Sequence, residues 1–289
     1  MCAVFVTGAT GTVGSAVVTH LLRRGDRVIA GIRDPRDDAR VAPGAEVRDF
    51  SFDDTPDVIE HTLEGADRLF LMRPPAIADV EAKLFPVIDA ARRRGMSQIA
   101  FLSLQGVQAN RNTPHHAVEK YLRDTASPYT FLRPNFFMQN LSTTYAEPIR
   151  ERGAIFVPAG RSRTAFIDAR DVGAAAAAVL TQPGHLEKAY TLSGSQSLSY
   201  RKVAEIMTDV LGRPIRYERP GEDAYLAELA ARGAPDDYIA VQKMIHRVVR
   251  MNISAFPNRA IEKLTGRPAI TMRQFVSDYT QAWMPESTH

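Results

Sequence analysis

The sequence has a single cysteine in 289 residues. One thiol, Cys2, can form neither an internal disulfide nor a multi-cysteine metal cluster, which fits a reducing compartment. Long apolar runs are also missing. None approaches the roughly 20 residues of a membrane span, and Met1-Cys2-Ala3 leads into an apolar segment without a charged targeting stretch, so a cytoplasmic protein is expected. There is no Gly-x-Ser-x-Gly elbow of an α/β-hydrolase and no His/Asp/Glu cluster with metal-ligand spacing. Neither sign of charge dominates: 36 Lys and Arg against 33 Asp and Glu leave a formal +3. Basic patches such as Arg92-Arg93-Arg94 fall at expected helix ends, where they favour the helix dipole, so nucleic acid is not an expected partner.

What the chain does contain is enough apolar material for a large core, 45% of its residues, arranged in a strand–helix alternation. Strands are expected at Ala3–Thr7, Arg27–Ile32, Ala45–Asp49, Arg68–Met72, Gln98–Ser103 and Tyr129–Arg133, with helices at Val13–Arg24, Pro56–Leu63, Ala78–Arg94 and Pro114–Thr125. This is an α/β pattern, a Rossmann-like doubly wound parallel sheet, and ligands of such sheets bind just beyond the carboxyl ends of the strands. Past Pro134 the pattern is irregular. Phe136-Phe137-Met138 opens a helix, Ala154–Val157 is a short strand, and Asp171 reads as the cap of an alanine-rich helix over Val172–Leu180. The unbroken Ala174–Ala178 implies close packing, so that helix is expected to return to the first domain. Later helices are expected at Tyr200–Leu211, Asp223–Arg232, Asp236–Val249, Pro257–Leu264 and Met272–Trp283. The organisation that follows is a dinucleotide-binding domain over 1–134, to which 164–193 returns, and a smaller, mainly helical substrate lobe over 135–163 and 194–289.

The segment Thr7-Gly8-Ala9-Thr10-Gly11-Thr12-Val13-Gly14 lies between the first strand and the first helix, the layout of a dinucleotide site. Glycines let the backbone approach a pyrophosphate, and the free N–H groups and positive helix end take its charge; a plain tight turn would also use glycines. At the end of the second strand, where an acid would accept the ribose hydroxyls of NAD, stands Arg33, with Arg36 and Arg40 close behind. A guanidinium there suits a 2′-phosphate and points to NADP(H), unless Arg33 simply pairs with Asp34 or Asp37. After the third strand come Asp49 and Phe50, where Phe50 either flanks an adenine or belongs to the core.

Read together, the glycine loop, Phe101-Leu102-Ser103, His115-His116-Ala117-Val118-Glu119, Tyr129 to Asn140, Phe166 to Val172, and Leu264-Thr265-Gly266-Arg267-Pro268 resemble the NmrA-like, atypical branch of the short-chain dehydrogenase/reductase superfamily across nearly the whole chain. Ordinary members of that superfamily use a Tyr and a Lys four residues later. With Glu119 on the family's acidic position, Arg111 stands where the tyrosine would be and His115 where the lysine would be, and Arg111 cannot give up a proton. The resemblance implies either an NADPH-dependent reductase of electron-poor conjugated acceptors, such as quinones or iminium ions, or a non-catalytic NADP(H)-binding regulator acting through a protein partner. It also implies cofactor contacts from Met72 and Arg73, from Ser103, and from Pro134, Asn135 and Phe136. His115 becomes the best titratable group near the chemistry, or else a structural histidine, and His116 reads as exposed. Phe137 and Met138 form an apolar wall for a flat acceptor, or join the lobes as core. The expected partner is a small hydrophobic acceptor, on a monomer or homodimer.

Overall fold

The computed structural model describes residues 2–284. In chain order its elements are β1 Ala3–Val6, α1 Thr12–Arg23, β2 Arg27–Ile32, β3 Glu46–Asp49, α2 Pro56–Thr62, β4 Arg68–Met72, α3 Val80–Lys83, α4 Phe85–Arg93, β5 Gln98–Leu102, α5 Pro114–Asp124 and β6 Tyr129–Pro134. There follow α6 Ala146–Arg152, β7 Ala154–Ile155, β8 Arg163–Thr164, α7 Ala169–Thr181, β9 Lys188–Leu192, β10 Leu198–Ser199 and α8 Tyr200–Leu211. The last are β11 Arg216–Tyr217, α9 Glu222–Ala231, α10 Asp236–Arg250, α11 Ala260–Thr265 and α12 Met272–Asp278. No helix among the described residues is long and apolar enough to cross a membrane.

Two compact units emerge. The first comprises Met1–Pro134, Ala169–Leu192 and Ala260–Arg267; the second comprises Asn135–Asp168, Ser193–Arg259 and Pro268–His289. The first carries a seven-stranded sheet in the order β3-β2-β1-β4-β5-β6-β9, every pair parallel. Strand order reverses between β1 and β4, so a crevice is expected outside their carboxyl ends. The central strands are mostly apolar, and β1 and β5 are buried along their whole length, as a parallel sheet covered on both faces requires. On α1 the stripe Val13, Val17, Val18 and Leu21 is buried, each residue contributing about 1.5–3 kcal/mol. Against it lies α7. A Cβ on Gly173 would come within 2.6 Å of Ala16 Cβ and 2.7 Å of Ala16 carbonyl carbon, so the two backbones meet at a distance that only glycine permits.

Several expectations are corrected. The helix expected over Ala78–Arg94 is two helices, α3 and α4, because Pro86 has no N–H for the ladder and its ring opposes a continuous turn. Asp171 does not cap α7, which begins two residues earlier. Its carboxylate is fully buried in the first turn and paired with Arg267 Nη1 at 2.8 Å. Phe136 and Phe137 do not open a helix; Phe137 is extended and precedes a 3-10 turn over Met138–Leu141. A second 3-10 turn over Pro35–Arg40, capped by Asp34, and helix α6 had no counterpart in the sequence reading.

The second unit has its own core. Its largest buried side chain, Trp283, donates from Nε1 to Leu141 O at 2.7 Å and meets Phe275 edge-on with ring centroids 5.8 Å apart.

Candidate functional site

The glycine loop is held down by Thr7. Its hydroxyl donates to Phe70 O at 3.1 Å and accepts from Met72 N–H at 2.9 Å, so β1 and β4 stay registered where both strands end. Gly8 then turns left-handed, at φ +63°, and a Cβ there would meet Met72 Sδ at 2.5 Å. Gly11 N–H closes the turn onto Gly8 O at 2.9 Å. A Cβ on Gly14 would lie 2.0 Å from that same Gly8 oxygen, so helix and turn can pack only if residue 14 has no side chain. Gly11 is the cap of α1 and supplies no side-chain bond, and no acid stands in the first turn. Ser15 N–H is the first amide to bond back, to Gly11 O at 2.9 Å. The amides of Thr12, Val13 and Gly14 precede it at the positive end of the helix, an arrangement that takes an anion without a cationic side chain. Val13's side chain is buried, so only its backbone is available.

Beyond β2 the charges sort themselves. Asp34 is engaged by Arg36, whose Nε lies 2.9 and 3.0 Å from the two carboxylate oxygens and whose Nη2 lies 2.5 Å from Oδ2. Asp37 is engaged by Arg40 Nη1 at 3.0 Å, while Arg40 Nη2 reaches across to Thr10 O in the glycine loop at 3.2 Å. Both acids that were alternatives for Arg33 are therefore occupied. Arg33 itself is exposed. Asp49 is exposed at the end of β3, but Phe50 turns the other way. Its N–H extends the β2 pairing to Ile32 O at 2.7 Å, and the strand alternation sends its ring into the core, edge-on to Phe5 at 5.4 Å and to Phe52 at 5.0 Å. It does not stand free to flank an adenine.

At the ends of β4 and β5 the polar groups are partly or wholly buried. Arg73 folds back on its own loop, with Nη1 donating to Pro74 O, Pro75 O and Ile77 O at 3.2, 3.1 and 2.5 Å, and burial lowers its pKa. Ser103 is 4% exposed. Its hydroxyl has no hydrogen bond of normal geometry, although it lies close enough to the Glu119 carboxylate to help keep it ionised. His115, in the first turn of α5, has its ring 6.1 Å from that of Phe101. Burial, reinforced by the Arg73 charge and opposed by Glu119, pushes its pKa down to about 4. At neutral pH His115 is an uncharged imidazole, a hydrogen-bonding group but not a reservoir of protons. His116 is partly buried, with Nδ1 3.3 Å from Val107 O. The sole tyrosine of α5, Tyr121, is engaged elsewhere. Its hydroxyl donates to Asp89 at 2.9 Å and its ring stacks on Phe85 at 3.7 Å.

Beneath this cluster lies a buried ion pair whose structural part the sequence reading missed. Arg133, 7% exposed in β6, binds Glu119, 1% exposed, through two parallel bonds of 2.8 and 2.6 Å, and Arg123 adds a third at 2.8 Å. Burial alone would raise the Glu119 pKa, but the bonds from Arg133, the nearby Ser103 hydroxyl and the charges of Arg133 and Arg123 outweigh it and hold the carboxyl below its ordinary value. An arginine inside an otherwise apolar strand, Phe131-Leu132-Arg133-Pro134, was the signal that a buried carboxylate faced it.

Pro134 is buried at the end of β6 and its carbonyl accepts from Gln105 N–H at 3.0 Å. In the second unit Asn135 is fully engaged. Its Nδ2 donates to Ser254 O at 2.9 Å and its Oδ1 accepts from Phe136 N–H at 2.7 Å. Met138, expected as part of an apolar wall, is 3% exposed and belongs to the core; Phe136 and Phe137 keep part of their surface. No group of three or more His, Cys, Asp or Glu among the described residues could hold a metal ion.

This order of motifs and elements matches the family model described as NmrA-like over residues 2–269. The chain belongs to the NmrA-like family. Among its relatives is an NAD(P)H azoreductase of Xenophilus azovorans, 30% identical over 97% of this chain and 99% of that one. A (4-alkanoyl-5-oxo-2,5-dihydrofuran-3-yl)methyl phosphate reductase of Streptomyces griseus is 31% identical, over 98% of this chain and all of that one. Among solved structures, the NADPH-dependent quinone oxidoreductase of Escherichia coli complexed with NADPH superimposes with a TM-score of 0.86 at 27% identity, covering 97% of this chain and all of that one. The structural likeness to the quinone oxidoreductase spans the seven-stranded doubly wound sheet described above.

Proposed function

We propose that this member of the family is an NADPH-dependent oxidoreductase that passes hydride to an electron-poor conjugated acceptor, a quinone, an iminium ion or a similar compound, without a Tyr/Lys pair. One observation carries the choice of cofactor. Arg33 stands exposed at the end of β2 while the two acids beside it are neutralised by other arginines. The glycine loop fits the rest of the cofactor, because Gly8 and Gly14, where a Cβ would strike Met72 and Gly8 O, let turn and helix pack so closely that the first amides of α1 stand at the strand end. The relatives' names, azoreductase, furanone reductase and quinone oxidoreductase, support redox turnover.

When bound, NADPH supplies the hydride. The amides of Thr12, Val13 and Gly14, with Thr10 and Gly11 leading into them, would hold its pyrophosphate, and Thr7 would keep the loop in register from beneath. Arg33 would take the 2′-phosphate, with Asp49 on the ribose side. Met72, Arg73, Ser103 and His115 would border the nicotinamide, with Pro134, Asn135 and Phe136 setting the strand end. Acceptors of this class delocalise the incoming electron pair, so the absence of a strong acid is tolerable and orientation carries more of the rate. A neutral His115 suits such a site better than one that must protonate an alkoxide. Phe137 offers aromatic surface to a flat acceptor.

The test is titration with NADPH and NADH, followed by NADPH consumption with quinones, azo dyes, triarylmethane dyes and cyclic iminium ions. Arg33→Ala is expected to weaken NADPH by about tenfold or more, the worth of one charge-assisted bond, and to leave NADH unchanged. Equal wild-type affinity for the two cofactors would refute the assignment. Tight NADPH binding with silence across the acceptors would leave a non-catalytic sensor instead.

A further inference from the structure

The turn after β2 carries three arginines and three acids within eight residues: Arg33, Asp34, Arg36, Asp37, Asp38 and Arg40. Left to themselves Asp34 and Asp37 would repel a phosphate dianion next to Arg33. Each is instead covered. Asp34 holds Arg36 through both carboxylate oxygens and also accepts from Arg36 backbone N–H at 2.9 Å, and the Arg36 bonds lower its pKa. Asp37 holds Arg40, whose second nitrogen is fixed on Thr10 O. Asp53, which also feels the Arg33 charge, is paired with Lys83. Asp38 is exposed.

We infer that Arg36 and Arg40 are positioning residues for cofactor specificity: they do not grasp the 2′-phosphate but silence Asp34 and Asp37, and Arg40 ties the turn to the glycine loop, so that neither of these two acids competes with the phosphate for Arg33. This rests on the reading of Arg33 as the phosphate ligand. A guanidinium already bound at both carboxylate oxygens has few donors left in the right plane for a second anion, whereas Arg33 retains all of its own. Because the pairs are exposed, with Arg36 at 90% side-chain exposure, their value to the fold is small and their loss should leave the protein folded. The charge they uncover acts on a dianion nearby, and salt screens that repulsion over about 10 Å at 0.1 M.

The experiment measures dissociation constants for NADPH and NADH in Arg33→Ala, Arg36→Gln, Arg40→Gln, Arg36→Gln with Asp34→Asn, and Arg40→Gln with Asp37→Asn, at low and high salt. Arg36→Gln is expected to weaken NADPH about three- to tenfold at low salt, to change NADH less than twofold, and to lose most of this effect at high salt. Asp34→Asn restores NADPH affinity in that background. Arg40→Gln weakens both cofactors, NADPH more, and Asp37→Asn recovers the excess only. Equal losses for the two cofactors, or no recovery on neutralising the acids, would overturn the inference. If Arg33→Ala abolishes discrimination and Arg36→Gln leaves NADPH affinity unchanged, the inference alone fails; if Arg33→Ala leaves discrimination intact, the reading beneath it fails too.

Discussion

Replacing Glu119 by Gln tests how the floor of the site is built. In the folded protein the carboxylate is 2% exposed at its side chain, and Arg133, at 8%, has its fork matched to both carboxylate oxygens at 2.8 and 2.6 Å. A glutamine keeps the volume, but its amide offers only one acceptor oxygen and no charge, so Arg133 stays buried and uncompensated. Breaking a buried pair from one side costs about 3–5 kcal/mol. At about 2–4 °C per kcal/mol for a cooperative unit of 150–250 residues, the melting temperature should fall by roughly 6–20 °C. Arg123 is 41% exposed, so Arg123→Ala should cost under about 1 kcal/mol and serves as the contrast. The sign with pH follows from the lowered Glu119 pKa. The unfolded chain binds the proton more readily, so the pair's contribution is complete above the ordinary glutamate range and is lost as pH falls through the lowered folded value. Thermal denaturation of wild type and Glu119→Gln from pH 7 downward measures both effects. A melting temperature within about 2 °C of wild type at pH 7, or an acid dependence that survives the substitution unchanged, would refute this account of the pair.

Two further outcomes concern the loop and the histidine above it. Gly14→Ala places a Cβ 2.0 Å from Gly8 O, a clash with backbone that no rotamer relieves, so dinucleotide binding should be lost by calorimetry while near-native secondary structure remains by circular dichroism. With its pKa held near 4 chiefly by burial, His115 resists protonation in the folded state and accepts it in the unfolded one. Stability should therefore fall as pH drops from about 6.5 toward 4, by an amount on the order of 3 kcal/mol at most, and His115→Asn should flatten that slope. Turnover should show no ionisation of His115 between pH 6 and 8; an inflection there that His115→Asn removes would contradict the buried, neutral assignment.

Much of the fold was legible because the central strands are short apolar runs bounded by glycine, proline and caps, and burial on both sides of a parallel sheet erases ambiguity about their faces. The glycine loop was legible for a related reason, since Gly8, Gly11 and Gly14 each answer a local steric demand. Helix α6 and the 3-10 turn after Asp34 escaped notice because each is about two turns or less, too short for a helical period to declare itself. Within the site, errors came where tertiary partners decide. Phe50 and Met138 are apolar residues beside expected ligand positions, and only packing reveals which way each ring or thioether turns. Asp171 looked like a cap because acids favour helix starts, but its partner, Arg267, lies nearly a hundred residues further on. The occupancy of Asp34 and Asp37 by Arg36 and Arg40 was equally invisible, since sequence spacing alone allowed Arg33 to pair with either acid.

The ion pair of Asp171 with Arg267 also bears on when this protein can fold. The unit that contains the glycine loop takes its last elements, α11 and Arg267, from residues 260–267, close to the end of the chain. Until residues 260–267 are in place, α7 lacks the ion pair that Arg267 supplies to the buried carboxylate of Asp171. The pair thus ties the unit that carries the glycine loop to a contact of long sequence separation, of the kind whose loop-closure cost must be met before the contact repays it.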